Sequence, residues 1–156
     1  MPLQKARAAR PEARPPVAPD PDTVLLACIG EVAGERALIL GCGALDVMCA
    51  LIRAGATEVT ELCRNDRPEP ASADLVVVPD LVSADSAPDI VGHARRALAT
   101  AGRIVLRCQS DPYGRLMQSV SRVLRVHGFS ALRLRRAGMQ TLLTAELPLF
   151  GLTGRA

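Results

Sequence analysis

The side chains best placed to do chemistry fall within residues 38–62, LILGCGALDVMCALIRAGATEVTEL. Gly41, Cys42 and Gly43 follow an apolar run and precede a stretch with helical spacing. Glycines let a backbone turn sharply and approach a ligand, and the start of a helix presents N–H groups that no helical carbonyl satisfies. Glu61 lies twenty residues beyond Gly41, at the end of a second short run. A carboxylate there can accept hydrogen bonds from two ribose hydroxyls. The combination is that of a cradle for a nucleoside-bearing cofactor. A dinucleotide fingerprint would need Gly or Ala at position 46, where Asp46 stands. Its charge would repel a pyrophosphate, which disfavours NAD and FAD. No G-K-[ST] follows the glycines, so a P-loop is excluded. Cys42, next to a helix start, could also serve as a reactive thiol.

These groups need a frame. The segment TVLLACIGEVA has apolar residues at 25, 26, 29 and 32, which predicts a helix from about Thr23 ended by Gly34. RALILG reads as a buried strand. Leu45, Met48, Cys49 and Ile52 fall on one helical face, closed by Gly55. TEVTEL is a second strand, residues 63–73 a polar loop, and DLVVVP a strand covered on both faces. A helix over 86–99, the strand GRIVLRC, a helix over 113–127 and two strands joined near Gly138 complete the chain. The helix over 113–127 turns Leu116, Val120, Val123 and Leu124 inward and Arg115, Arg122 and Arg125 outward. The alternation predicts an α/β fold, a Rossmann-like three-layer sandwich whose mostly parallel sheet ends in an antiparallel C-terminal strand pair. The expected organisation is a Pro/Ala/Arg-rich disordered tail over 1–22, one domain over 23–150, and a flexible end over 151–156.

In this order the chain resembles the class I S-adenosylmethionine-dependent methyltransferases. LILGCGALD, GATEVTEL, ADLVVVPDLV, HARRALATAGRIVLR and VHGFSALRLRR carry the resemblance and cover most of residues 36–147. It implies that Gly41, Cys42 and Gly43 line the methionine part of S-adenosylmethionine and that Glu61 binds its ribose. Asp66 would take over part of the role of the family's adenine-contacting acid. Pro79 and Asp80 would sit at the mouth of the family's fourth strand, with Asp80 the candidate catalytic base. The zwitterionic donor also tolerates Asp46 better than a dinucleotide would. The chain departs from the family in two places. Leu45 stands where the loop usually carries another glycine, and only twelve residues separate Glu61 from Asp74. At about 3.3 Å per residue, that segment cannot build the usual helix, strand and helix. No Asn/Asp-Pro-Pro-Tyr/Phe motif follows the fourth strand, so methylation of base amino groups in nucleic acids is not supported.

Composition narrows the partners. Aromatic residues make up 2% of the chain and Trp is absent, so stacked platforms for single-stranded nucleic acid are missing. Charge is divided: +1 over residues 1–22, −7 over 23–94 and +9 over 95–156, where every basic residue is arginine. The expected partners are a small-molecule or protein acceptor, an anionic partner on the Arg-rich C-terminal surface, and another copy of the chain. A catalytically inactive scaffold that keeps the frame is the competing reading. There are five cysteines, an odd number without a C-x-x-C pair, and several read as small core residues. This points away from a metal site and toward a reducing compartment, the cytoplasm. No apolar stretch reaches membrane-spanning length, and the basic N-terminus lacks a following apolar region.

Overall fold

A computed structural model describes Pro16, residues 20–63 and residues 65–149. The flexible end expected over 151–156 and nearly all of the tail expected over 1–22 lie outside these residues. The elements run α1 (Pro21–Ile29), β1 (Arg36–Leu40), α2 (Leu45–Arg53), β2 (Glu58–Leu62), β3 (Ala73–Val78), α3 (Ala87–Ala97), β4 (Leu98–Cys108), α4 (Arg115–Val126), β5 (Ser130–Ala137) and β6 (Gln140–Glu146). They build one six-stranded sheet in the order β2-β1-β3-β4-β6-β5. The first four strands of that order are parallel, and β6 joins β4 and β5 antiparallel. The α/β sandwich and its antiparallel C-terminal pair are as the sequence predicts.

Period-two alternation explains the layers. Ala37 and Ile39 of β1, with Leu75 and Val77 of β3, pack against Leu25 and Ile29 of α1 and Val47 and Leu51 of α2. Leu38 and Leu40, with Val76 and Val78, face the opposite way, onto Val91 and Ala94 of α3 and Met117, Val120 and Leu124 of α4. Both sheet faces are therefore covered, which is why β1 and β3 read as apolar runs.

Readings of four elements change. Helix α1 starts at Pro21, not Thr23, because Asp20 accepts from Asp22 N (3.3 Å) and proline suits the first turn. It ends at Gly30 rather than Gly34. Helix α2 buries Val47 and Leu51 instead of the predicted face, leaving Leu45 65% and Ile52 55% exposed. Strand β4 begins at Leu98, where a helix end was expected, with Ala73 opposite Leu98 and a register shift before Leu75. In α4 Met117 is buried, while Leu116 and Val123 are only partly so.

The connection between β2 and β3 has no helix or strand among its described residues. It is pinned to the end of α3: Arg96 Nε donates to Pro68 O (2.9 Å) and Ala71 N donates to Arg96 O (3.1 Å). Strand β2 is consequently an edge of the sheet. The order reverses at β1, which has β2 on one side and β3 on the other. In open α/β sheets the crevice outside the strand ends at such a reversal is where ligands bind.

Candidate functional site

Strand β1 ends at Leu40 and the chain turns through Gly41-Cys42-Gly43 into α2. Gly41 has φ +142° and Gly43 φ +81°, conformations that side-chain-bearing residues rarely adopt. Gly41 N donates to Leu62 O (3.0 Å), fastening the turn to the end of β2. A cavity of about 350 Å³ opens beside it, at the low end of ligand-site volumes. Its walls are the glycine turn, Asp46 and Val47 from the start of α2, Pro79 and Asp80 after β3, Arg107 and Gln109 from the end of β4, and Asp22 from α1.

Arg107 organises that side. It is 4% exposed, its Nε donates to Pro79 O (2.6 Å), and Nη1 donates to Asp22 Oδ1 (2.8 Å). Its own carbonyl accepts from Leu81 N (2.8 Å), so the corner at Pro79–Leu81 is held from both sides. Burial of a guanidinium is tolerable because a carboxylate and a carbonyl satisfy it. The cavity thus combines three carboxylates, those of Asp22, Asp46 and Asp80, with one guanidinium. Beneath it, the Cys108 thiol is pushed up by burial, with the charges of Asp111 and Asp80 adding to the effect. It stays protonated and unreactive.

Of the residues singled out from sequence, Gly41, Cys42, Gly43, Pro79 and Asp80 line this cavity. Asp80 is exposed at its mouth. Glu61 is not a wall residue. Its Oε1 accepts from Gly43 N (3.1 Å) and its Oε2 from Ala44 N (3.3 Å). It therefore caps the amides that open α2, where Ala44 offers no side-chain cap. A carboxylate has about four acceptor sites, so two hydrogen bonds leave capacity for hydroxyl donors. Asp66 is exposed in a turn closed by its own N–H on Cys63 O (3.0 Å), away from the cavity. Leu45 points outward and does not fill the cavity. Tyr113 is exposed beneath the Arg115 guanidinium, 5.9 Å from the ring centre.

The sequence reading missed Asp22, Arg107 and Gln109. Arg107 had a signal: a charge inside the apolar run RIVLRC must find a partner when the run is buried. Asp22 had none, since it falls within the segment assigned to the tail. The pairing of Cys42 with Cys63 was also missed, and it corrects the view of these two as reduced cysteines. They form a disulfide, with Cα atoms 5.3 Å apart, whereas Cys28, Cys49 and Cys108 are free. The cause is register: Leu40 lies opposite Leu62 in the parallel β1–β2 pair, so the residues just past both strand ends become neighbours. The two sulfurs and a Glu61 oxygen all lie within 4.8 Å of one another, a grouping able to hold a metal ion. While the sulfurs are bonded to each other, neither is the thiolate that a metal takes.

For S-adenosylmethionine, the residues present fit the amino-acid end. Carboxylates can take its ammonium and Arg107 lends positive charge for its carboxylate, while the N–H groups of Gly41, Gly43 and Ala44 are already engaged by Leu62 O and Glu61. The ribose carboxylate is present but engaged with the turn.

No protein-family model and no curated protein matches the sequence. Solved structures do match in fold. An S-adenosylmethionine-dependent methyltransferase from Mesorhizobium loti superposes with TM-score 0.63 and 15% identity, over 80% of this chain and 96% of that one. The 1,6-didemethyltoxoflavin-N1-methyltransferase of Burkholderia thailandensis, crystallised with 1,6-didemethyltoxoflavin and S-adenosylhomocysteine, gives TM-score 0.61 and 13% identity, over 82% and 76%. The [4+2]-cyclase SpnF gives 0.59 and 15%, over 83% and 81%. At these identities the likeness concerns architecture: the chain has the Rossmann-like fold of S-adenosylmethionine-dependent methyltransferases.

Proposed function

We propose that this protein binds S-adenosylmethionine and transfers its methyl group to a small-molecule or protein acceptor. The observation that carries the reading is the two-sign polar cavity beside Gly41–Gly43, at the reversal point of a methyltransferase-type sheet. Fold neighbours crystallised with S-adenosylhomocysteine support the choice of ligand.

The bound cofactor supplies an electrophilic methyl group on a sulfonium. The chain's own contribution is positioning. Gly41, Cys42 and Gly43 would line the amino-acid end, the two glycines leaving no side chain in its way, and Arg107 would balance its carboxylate while holding Pro79. Glu61 would share its remaining acceptor sites with the ribose. Asp80, at the cavity mouth, can take a proton from an acceptor as its nucleophilic atom becomes alkylated. Holding acceptor and donor in line and keeping water out are the main sources of acceleration in such a transfer.

Calorimetric titration with S-adenosylmethionine, paired with thermal unfolding, tests this directly. Binding must raise the melting temperature, because a ligand of the native state stabilises it. No heat and no rise at roughly millimolar ligand, the upper end of the usual range for substrates, would leave the scaffold reading. One observation favours that second reading: Glu61 is spent on capping α2. The scaffold would present Arg122 and Arg125 of α4 and Arg133 and Arg135 of β5, all exposed, to an anionic partner. Binding through them must weaken as salt rises.

A further inference from the structure

We propose that Cys42 and Cys63 form a reversible thiol–disulfide latch, closed by exchange with low-molecular-weight disulfides, that decides whether the glycine turn can admit a nucleoside. The part concerning ligand entry rests on the function proposed above; the latch itself does not.

The placement is what a latch requires. Cys42 sits between two glycines of positive φ, in the most adaptable part of the backbone around the cavity. Cys63 follows β2, the edge strand. Both are exposed, so a small disulfide can reach either one. Their Cα separation of 5.3 Å lies inside the range that a bridge spans without moving the backbone. The three other cysteines are unpaired and less accessible: Cys28 and Cys49 are partly buried and Cys108 is buried. A Glu61 oxygen lies within 4.8 Å of both sulfurs, and its carboxylate accepts from Gly43 N and Ala44 N. Oxidation adds the S–S bond to the two hydrogen bonds by which a single carboxylate holds the same turn. The S–S bond also spans the gap between the glycine turn and the end of β2, where a ribose would have to reach Glu61. Reduction removes the covalent link, lets the turn lift, and returns the carboxylate to a ligand.

The chemistry balances. A thiolate of Cys42 or Cys63 attacks one sulfur of a small disulfide such as oxidised glutathione, whose S–S bond breaks and expels one thiolate. The partner cysteine, as thiolate, attacks the resulting mixed disulfide and expels the second. The two cysteines lose two protons and two electrons, and the small disulfide leaves as two thiols.

The test uses the whole chain equilibrated with reduced or oxidised glutathione. Peptide mapping after alkylation is expected to find Cys42 joined to Cys63 only in the oxidised sample, and dithiothreitol should undo it. Separate alkylation of both in oxidised glutathione overturns the latch, as does a zinc ion that holds both thiols against oxidation. Amide exchange at Gly43 and Ala44 should be about tenfold slower when oxidised, and C63S should exchange like the reduced protein under both conditions. Equal exchange in the two states overturns the closure. S-adenosylhomocysteine should bind at least about tenfold more weakly to the oxidised protein; equal or tighter binding overturns the gate. Failure to bind in either state overturns the gate and the proposed function together, while mapping and exchange still decide the latch.

Discussion

At the scale of single residues, backbone conformation matters as much as side-chain chemistry. A Cβ placed on Gly43 meets nothing within 4 Å, yet φ +81° is unfavourable for any side chain. Gly43→Val is therefore expected to lower stability by about 1–2 kcal/mol through strain alone. It should also abolish binding of S-adenosylhomocysteine, which parallel urea titrations and calorimetry would separate. The ion pair at the start of the sheet gives a pH signature. Asp74 accepts from Arg36 N (3.0 Å), Nε (3.2 Å) and Nη2 (3.1 Å), and the Arg36 side-chain hydrogen bonds hold its carboxyl below the usual range. A depressed folded value means that the stabilisation is complete above the unfolded value, near about 4. It is lost as pH falls through the folded value. Asp74→Asn should thus be less stable than the parent at neutral pH, and the gap in urea midpoint should shrink in acid. The candidate site was only partly legible at this scale. Glycines and strand-end carboxylates announce themselves by type and spacing. That Glu61 would spend its oxygens on its own turn depends on a contact across 18 residues, which no local pattern encodes.

Among the elements, legibility followed the strength of the apolar pattern. Strands β1 and β3 could be read because both faces are buried. Helix α2 was found but its inward face misjudged: Leu45, Val47, Met48, Cys49, Leu51 and Ile52 are nearly all apolar, so periodicity alone could not choose among faces. The start of β4 was hidden because Leu98–Ala101 has a composition that continues a helix. Tertiary pairing with Ala73 overrides that preference, and Ala101 takes φ +63° at the irregularity. The arginines of β5 have an element-level role besides any partner: an edge strand carrying exposed charges resists pairing with another chain. Helix α1 depends on one long-range ion pair. Asp22→Ala would leave the buried Arg107 guanidinium without its carboxylate. Loss of about 2 kcal/mol is expected, with local loosening of α1 visible as faster amide exchange at Leu25 and Leu26.

For the molecule as a whole, the shortened middle sets the proportions. Among the described residues no extra strand lies between β2 and β3 in sequence, so the sheet they form has six strands and the glycine turn lies one strand from its edge. The bridge between Cys42 and Cys63 closes a loop of 21 residues in sequence, and it acts on the unfolded chain wherever the folded one stands. A loop of that size should contribute about 3 kcal/mol, so reduction should lower the urea midpoint without altering the far-ultraviolet spectrum. An unchanged midpoint would mean that the unfolded chain gains no freedom from reduction. The ion pair between Asp22 and Arg107 joins residues 85 apart. During synthesis, the first helix therefore leaves the ribosome long before its anchor does. Through that interval the apolar face of α1, Leu25 and Ile29, has β1 and α2 to lean on but no electrostatic clasp, so a nascent chain halted short of residue 107 should remain open to proteases at its first helix.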